Sequence, residues 1–179
     1  LDMQNPNRMV FDSTGRLIIG DDDAVGKVFA STGPGNLTEI ITLSSTGASI
    51  AVDATDRIFV RDNNGTIGIY SSTGATIDAN WVTSLEDIGP MYFGPGNSLW
   101  GTDLYTLNRA SGHLLRIDSL GNVNVIGTGF TSDTTDLTFG PDGYMYLSVF
   151  GQDELIRIVP EPTALALLAL GGLAVLRRR

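Results

Sequence analysis

The residues of this chain that can do chemistry are mostly aspartates at the ends of short apolar segments. Asp21-Asp22-Asp23 offer adjacent carboxylates to a hard cation such as calcium. We favour a solvated turn after a strand, because a calcium loop of the EF-hand type spaces its ligands alternately and closes with a glutamate. The segment Asp62-Asn63-Asn64-Gly65 has the same two interpretations, and its Asn-Gly pair alone is a hairpin signal.

Nucleophilic and general acid–base chemistry has little support in this sequence. The single histidine, His113, follows Gly112 in a polar stretch, and no second histidine is available to share a metal. General base catalysis also needs an orienting carboxylate and a nucleophile, and the sequence places neither beside His113. The lack of cysteine excludes disulfides, thiolate metal sites and thiol nucleophiles. We therefore expect His113 to be an exposed turn residue.

Aromatic side chains offer one more kind of site, a stacking platform for sugar rings. Aromatic residues on half-buried strands usually belong to the core, which is the interpretation we favour. Tyr105 is the exception, because it lies in a segment that we expect to form a long loop. The five candidates are Trp81, Tyr92, Trp100, Tyr105 and Tyr146.

Length and composition limit the kind of scaffold that carries these residues. The 179 residues correspond to one ordinary domain, and 42% hydrophobic against 17% charged residues indicates a chain that buries a real core. Twenty-two glycines indicate many tight turns, while charged helix formers are scarce, with one lysine and four glutamates. The formal net charge of −9 repels phosphates, so we expect no nucleic-acid partner.

An internal repeat divides the chain into four units. Each unit is anchored by a bulky apolar residue before a polar turn, at Phe11, Val52, Phe93 and Phe139, with spacings of 41, 41 and 46 residues. A period of roughly 40–45 residues is typical of the four-stranded blade of a β-propeller. We therefore predict an all-β propeller with four visible blades that form part of a larger ring. A complete four-bladed ring is the alternative.

Short apolar segments predict the further strands of each unit. The second strands are expected at Leu17–Ile19, Ile58–Val60, Leu99–Trp100 and Met145–Leu147. The third strands are expected at Lys27–Phe29, Ile67–Ile69, Leu115–Ile117 and Ile156–Ile158, and fourth strands at Glu39–Ile41, Ala75–Ile77 and Val123–Ile126. The extra length of the third unit falls at residues 104–109, which predicts a loop between its second and third strands.

The composition changes abruptly at Val159, where strand chemistry ends. Pro160 and Pro162 cannot donate to a sheet, and Pro162 suits the first position of a helix. Residues 163–176 contain only Leu, Ala, Gly, Val and Thr, which predicts a short helix that is apolar on all sides. A buried helix is the alternative, but an all-sheet molecule offers it no facing helix, so we expect a transmembrane-type segment. A cytoplasmic basic cluster follows at Arg177, Arg178 and Arg179.

The order of these parts resembles the PEP-CTERM sorting signal of Gram-negative bacteria, which is also catalogued as the ice-binding protein C-terminal domain. The resemblance covers only residues 159–179, and its motif consists of Val159, Pro160, Glu161 and Pro162. It implies export through an N-terminal signal, retention in the inner membrane by residues 163–176, and processing near the motif by an exosortase-type enzyme. The second name does not demonstrate ice binding.

The body of the chain resembles an NHL or SMP-30-type propeller repeat. The pattern runs from Ser49 to Tyr70, and the segment from Leu137 to Leu147 is similar. Propellers of the SMP-30 type hold a metal ion over the central channel, which makes carboxylates near the predicted innermost strands candidates for a metal site. We favour ordinary loop aspartates at these places. The candidates are Glu86, Asp87, Asp133 and Asp136.

These observations divide the chain into a propeller, residues 1–158, and a sorting and anchor segment, residues 159–179. We expect an exported, non-catalytic protein of the cell surface or the extracellular space, without a cofactor, whose body binds an extracellular polysaccharide or protein. A metal-dependent propeller enzyme of lactonase or lyase type is the alternative. Because no export signal is visible after Leu1, we expect the body to lack its N-terminal part.

Overall fold

A computed structural model describes residues 3–85, 87–97 and 99–159 of the chain. Over these residues the chain forms fifteen strands, β1 to β15, in four separate antiparallel sheets. Within the same ranges the one helical element is a 3-10 turn at Phe150–Gln152. The prediction of an all-β, propeller-like arrangement with four blades is confirmed.

The strands follow one another along the chain, blade by blade. Blade one contains β1 (Pro6–Phe11), β2 (Leu17–Asp21), β3 (Lys27–Gly33) and β4 (Asn36–Thr42). Blade two contains β5 (Ser49–Val52), β6 (Ile58–Arg61), β7 (Ile67–Tyr70) and β8 (Thr76–Val82). Blade three contains β9 (Ile88–Phe93), β10 (Leu104–Asn108), β11 (His113–Ile117) and β12 (Val123–Thr128). Blade four contains β13 (Thr134–Phe139), β14 (Met145–Val149) and β15 (Glu154–Ile158).

The first turn of each of the first two blades is closed by an aspartate. The Asp12 carboxylate accepts hydrogen bonds from the backbone N–H groups of Thr14 and Arg16, at 3.0 and 2.9 Å, and Gly15 between them has a φ of +81°. Asp53 makes the equivalent bonds in blade two. Burial raises the pKa of both carboxyl groups, but the hydrogen bonds outweigh it, so each pKa lies below its ordinary value.

The apolar core consists of three layers, each between two neighbouring blades. The layer between blades one and two includes Ile18, Val28, Ile41, Ile50 and Val60. The layer between blades two and three includes Phe59, Ile67, Met91, Leu104 and Ile117, and the layer between blades three and four includes Trp100, Leu107, Leu114, Leu137 and Leu147. The sheets of blades two and three are therefore covered on both faces, as the repeat predicts. The outermost strands β4, β8 and β12 are mostly exposed.

Blades one and two approach each other closely at Gly20 of β2. A Cβ atom added there would lie 1.9 Å from the carbonyl oxygen of Ala48, which directly precedes β5. No side chain fits against a backbone atom at that distance, so the spacing between these two sheets requires glycine.

Most predicted strands are confirmed, but the interpretation of the third unit is wrong. Leu99 and Trp100 form a turn, held by Asn97, whose side-chain oxygen accepts both of their backbone N–H groups at 3.0 Å. The second strand of blade three is Leu104–Asn108, the segment predicted to be a loop. The extra residues of the third unit therefore come before its second strand. Burial of the Trp100 ring stabilises the turn at 99–100, and the buried side chains of residues 104–107 belong to the sheet.

The expectation that Tyr105 is an exposed aromatic is wrong for the same reason. Tyr105 is only 2% exposed, and its hydroxyl donates a hydrogen bond to the carbonyl oxygen of Trp100. The two rings pack edge to face, with centroids 5.5 Å apart. Trp81, Tyr92 and Tyr146 are half-buried on their strands. These aromatic side chains mainly build the core, as the favoured interpretation predicts.

Most of the predicted sorting segment lies outside the described residues. This applies to the motif residues Pro160, Glu161 and Pro162, to the predicted helix at 163–176 and to the three terminal arginines. Among the residues that are described, no helix has the length and apolar character needed to cross a membrane. Val159, the last described residue, follows β15 and is 52% exposed.

Candidate functional site

A polar cavity of about 410 Å³ lies where the four innermost strands begin. Strands β1, β5, β9 and β13 contact one another in that order, so their first residues gather around one end of the central axis. Nine of the twelve lining residues are polar, among them three arginines and two aspartates. The twelve are Asn7, Arg8, Asp22, Ser49, Arg61, Asn63, Asp87, Ile88, Gly89, Pro90, Arg109 and Thr135.

Arg8 of β1 reaches from blade one across the axis. Its Nη1 atom lies 3.0 Å from Oδ1 of Asp136 in blade four, and its guanidinium carbon lies 4.2 Å from the ring centroid of Tyr92 in blade three. The ion pair and the cation–π contact fix the direction of the side chain. The Nη2 atom is nevertheless buried without a hydrogen-bond partner among the described residues.

Arg109, directly after β10, forms a second ion pair beside the cavity. Its Nη2 atom lies 2.7 Å from Oδ1 of Asp87, and its backbone N–H donates to the Asp87 carbonyl oxygen at 3.0 Å. These two bonds close the gap between the start of β9 and the end of β10. The Nε atom of Arg109 is buried and, within the described part of the chain, has no acceptor.

Arg61, the last residue of β6, differs from the other two arginines. No carboxylate among the described residues forms an ion pair with it, and its Nε atom is buried without an acceptor there. Burial lowers the pKa of the Arg61 guanidinium, Asp87 acts in the opposite direction, and Arg109 lowers it further. The nearby charges of Asp22 and Asp62 raise it. Of the three arginines, Arg61 is thus the one without a direct ion-pair partner among the described residues.

Unsatisfied hydrogen-bonding groups are concentrated at this cavity. Among the described residues, five buried side-chain atoms have no partner, and four of them belong to cavity-lining residues: Arg8, Ser49, Arg61 and Arg109. The fifth is the hydroxyl of Thr134, next to the lining residue Thr135. Buried polar groups in folded proteins almost always have a hydrogen-bond partner. Water or a bound molecule in the cavity could supply the hydrogen bonds that these groups lack.

The residues present do not fit the metal site that the SMP-30 resemblance implies. Asp87 and Asp136 are each engaged by an arginine, Asp133 is exposed, and Glu86 lies outside the described residues. No three acidic or histidine side chains converge within the described ranges. A guanidinium group beside each carboxylate repels a cation and occupies an oxygen that the cation would need.

The three consecutive aspartates have separate tasks. Asp21 is fully buried, and its carboxylate accepts the backbone N–H groups of Gln4 and Asn5 at 3.1 and 2.6 Å, which fastens the segment before β1. Asp22 lines the cavity, and Asp23 is exposed. The expectation of a solvated turn therefore holds for Asp23. It is wrong for Asp21, because backbone N–H groups, and not water, donate hydrogen bonds to its carboxylate.

The other two sequence candidates are local structural residues. The Asp62 carboxylate accepts the backbone N–H groups of Asn64 and Thr66 at 3.1 and 3.0 Å, so it caps the β6–β7 hairpin that Asn64-Gly65 predicts. His113 is the first residue of β11 and is half-buried, not an exposed turn residue, because the turn that precedes it ends at Gly112.

A second, less polar groove of about 290 Å³ lies at the opposite end of blades two and three. Phe59 forms its floor and contacts Trp81 and Phe93 edge to face, with centroid distances of 5.0 and 4.9 Å. The rings of Trp81 and Phe93 both pack against Phe59, so this groove is mainly the open edge of the core layer between these blades.

The arginine cavity is the feature that sequence reasoning missed, although a signal for it was present. Arg8, Ser49, Pro90 and Asp136 each stand three residues before a repeat anchor. Equivalent positions of innermost strands lie around one axis, so the four residues meet there. Comparing that position across the repeats would have placed a charged and polar ring at the channel.

A comparison with known protein families identifies the C-terminal segment of the chain. Residues 159–179 match the PEP-CTERM protein-sorting motif, which confirms the resemblance found in the sequence. The motif implies export and processing by an exosortase. A search among curated proteins finds no match for the sequence.

The fold of the body is similar to that of several solved propellers. A virginiamycin B lyase from Staphylococcus aureus shares 12% identity with a TM-score of 0.65, over 89% of this chain and 57% of that one. A gluconolactonase from Xanthomonas campestris shares 14% identity with a TM-score of 0.61, over 83% and 58% of the two chains. A calcium-binding regucalcin from Agrobacterium tumefaciens shares 17% identity with a TM-score of 0.59, over 80% and 52%.

These likenesses establish the fold alone. They confirm the propeller fold expected for the body, and the chain spans 52–58% of the length of these three structures. The lactonase and lyase activities belong to those proteins.

Proposed function

We propose that this chain is an exported, non-catalytic propeller protein with a binding role at the cell surface or in the extracellular space. Its body comprises residues 1–158, and residues 159–179 form a sorting and anchor segment. During export the segment holds the protein in the inner membrane, and an exosortase then cuts near Val159, Pro160, Glu161 and Pro162. The match to the PEP-CTERM motif is the observation that carries this proposal.

The composition of the tail supports a transient anchor. As a helix, the fourteen residues 163–176 would span about 21 Å, less than the roughly 30 Å of the hydrocarbon layer. Six Leu and one Val contribute roughly −2 to −4 kcal/mol of insertion free energy, before the less favourable Gly and Thr contributions. Arg177–Arg179 can extend the span by snorkelling and keep that end in the cytoplasm. Such marginal insertion suits a segment that is retained briefly and then removed.

The engagement of the axial carboxylates supports a non-catalytic body. A propeller enzyme of the metal-dependent kind needs free acidic ligands at the axis, whereas Asp87 and Asp136 are paired with Arg109 and Arg8. The half-buried His113 lies outside the set of residues that line the cavity. A binding role requires only a shaped, polar surface, which the cavity supplies.

The sorting proposal is tested in the native host, from the chromosomal gene, with an epitope inserted in the β11–β12 turn after Leu120, which is 81% exposed. We expect mass spectrometry to find a mature C-terminus near residues 159–162, and we expect the intact chain in the inner membrane of a strain without exosortase. Replacing Pro160, Glu161 and Pro162 together by alanine should give the same retention in the normal strain.

The matched control replaces Arg157, which is exposed on β15 two residues before the motif, with glutamine. This variant should be processed like the natural chain. Recovery of protein that ends in Arg179 from the culture medium of the normal strain would contradict the proposal.

The metal-enzyme alternative makes a different prediction for purified protein. We expect the melting temperature of the full chain in mild non-ionic detergent to be the same with millimolar calcium as with a chelator. A ligand that binds only the folded state at a hundred times its Kd stabilises it by about 2.7 kcal/mol, which shifts melting by about 5–11 °C for a chain of this size. A calcium-dependent shift of that size would favour the alternative.

A further inference from the structure

The arginine cavity is more than an open end of the propeller axis. Three blades each contribute one guanidinium group to it, from Arg8, Arg61 and Arg109, in a protein whose formal net charge is −9. Asp136 and Asp87 pair with Arg8 and Arg109, and Asp22 also lines the cavity, so Arg61 is the guanidinium group without an ion-pair partner among the described residues. A buried charge without a partner destabilises the folded protein, and a bound anion would offset that effect.

The unpaired atoms show which chemistry is missing. Nη2 of Arg8, Nε of Arg61 and Nε of Arg109 are all N–H donors, and all are buried without an acceptor among the described residues. The hydroxyl of Ser49, which is 8% exposed, is also unpaired there. A cation cannot satisfy an N–H group, and a water molecule satisfies such donors without compensating the charge of Arg61. An oxyanion supplies both several acceptor lone pairs and the negative charge.

We propose that this cavity binds a small oxyanion, either free or as part of a polar molecule of up to about monosaccharide size, with Arg61 as its principal ion-pair partner. Arg8 and Arg109 are held in place by Asp136 and Asp87, and their remaining N–H groups donate to the same ligand. The volume of about 410 Å³ lies in the range of small-molecule sites. Neutral side chains around the arginines, Asn7, Asn63 and Ser49, suit the hydroxyl groups of such a ligand.

Two sources share this chemistry, the carboxylate of an acidic sugar and inorganic phosphate. The inference gives a ligand class to the binding role proposed above and rests on it. Its test uses purified protein, so failure to bind would leave the sorting result untouched, and failure of sorting would leave the binding result untouched.

The test measures calorimetric binding and the melting temperature of the full chain in mild non-ionic detergent at constant ionic strength. The probes are glucuronate, phosphate, neutral glucose and cationic glucosamine, each up to about 10 mM, ten times the Kd of a millimolar site. We expect saturable binding of glucuronate, of phosphate or of both, and the difference between them identifies the source. We expect no binding of glucose or glucosamine.

Three variants locate the site. Arg61→Gln should weaken oxyanion binding at least tenfold, because it removes the charge and keeps most of the side-chain stem. Ser49→Ala should weaken it a few-fold while the melting temperature without ligand stays unchanged, which keeps the test valid if Arg61→Gln folds poorly. Arg157→Gln, on the exposed outer strand β15, is the control and should bind like the natural chain.

Either of two results would overturn the proposal. One is that neither oxyanion binds, or that glucosamine binds in preference to them. The other is that the Arg61 and Ser49 variants bind oxyanions as tightly as the Arg157 control, which would show a general ionic effect unrelated to the cavity.

Discussion

Replacing Gly20 with alanine should lower the melting temperature of this protein by about 6–12 °C. The added Cβ would lie 1.9 Å from the Ala48 carbonyl oxygen, and a backbone atom cannot move aside as a flexible side chain can. The sheets of blades one and two must separate, which loosens the layer around Ile18 and Ile50. Overpacking of this kind costs about 3 kcal/mol, and each kcal/mol corresponds to about 2–4 °C for a chain of this length.

Gly33→Ala is the matched control for that change. Gly33 lies in β3 of the same blade, and a Cβ added there would meet nothing within 4 Å. We expect its melting temperature to stay within about 2 °C of the natural value, because the change mainly reduces the freedom of the unfolded chain. Thermal unfolding followed by circular dichroism compares the two variants. Equal melting temperatures for them would contradict the close approach of the two blades.

Replacing Asp12 with alanine should destabilise the fold by about 2–4 kcal/mol. The buried carboxylate accepts four hydrogen bonds, two from Thr14 and two from Arg16, so its loss leaves backbone N–H groups of a tight turn without acceptors. Arg16 also donates to the carbonyl oxygen of Ser72 in blade two. Without Asp12 this link between neighbouring blades loses its support. Chemical denaturation of both proteins measures the difference.

The pH dependence of this difference follows from the lowered pKa of Asp12. The folded-state pKa lies below the ordinary value of 3.8, so the carboxylate contributes its full stabilisation above about pH 4 and loses it as the pH falls through the folded-state pKa. The difference in unfolding free energy between the natural chain and Asp12→Ala should therefore be constant from pH 5 to pH 7 and become smaller in stronger acid. Asp23→Ala, at an exposed position, should show no gap at any pH. A gap that widens in acid would contradict this role of Asp12.

The repeat pattern of the sequence predicted most of the fold because each blade encodes its own turns. The spacing of Phe11, Val52, Phe93 and Phe139 located all four blades, and the absence of a fourth strand in the last unit holds for the described residues. Local signals were sufficient wherever an aspartate or Asn-Gly turn joined two apolar strands. The PEP-CTERM motif was identified in the same way, since its parts are adjacent in the chain.

Sequence reasoning failed where contacts between blades decided the structure. Trp100 has an apolar neighbour and fits a strand by its local pattern, but its ring packs against Tyr105 and Phe139, with the latter from blade four. Arg8 and Asp136 are separated by 128 residues, so nothing local indicates their ion pair. A fixed distance from the anchor residues predicts which residues lie near the central axis. It does not predict which charged side chains pair there, because that depends on how far each side chain extends.

The separation of the core into three layers means that damage to this protein is local. Each apolar layer joins only two neighbouring blades, so stability is approximately a sum of the units and of the contacts between them, as in repeat proteins. The exposed outer strands β4, β8 and β12 can exchange their amide hydrogens first. The arginine cavity is lined mainly by residues in or next to the first two strands of the blades, so it is lost only when adjacent blades separate. Local opening of the outermost strands therefore leaves the arginine cavity intact.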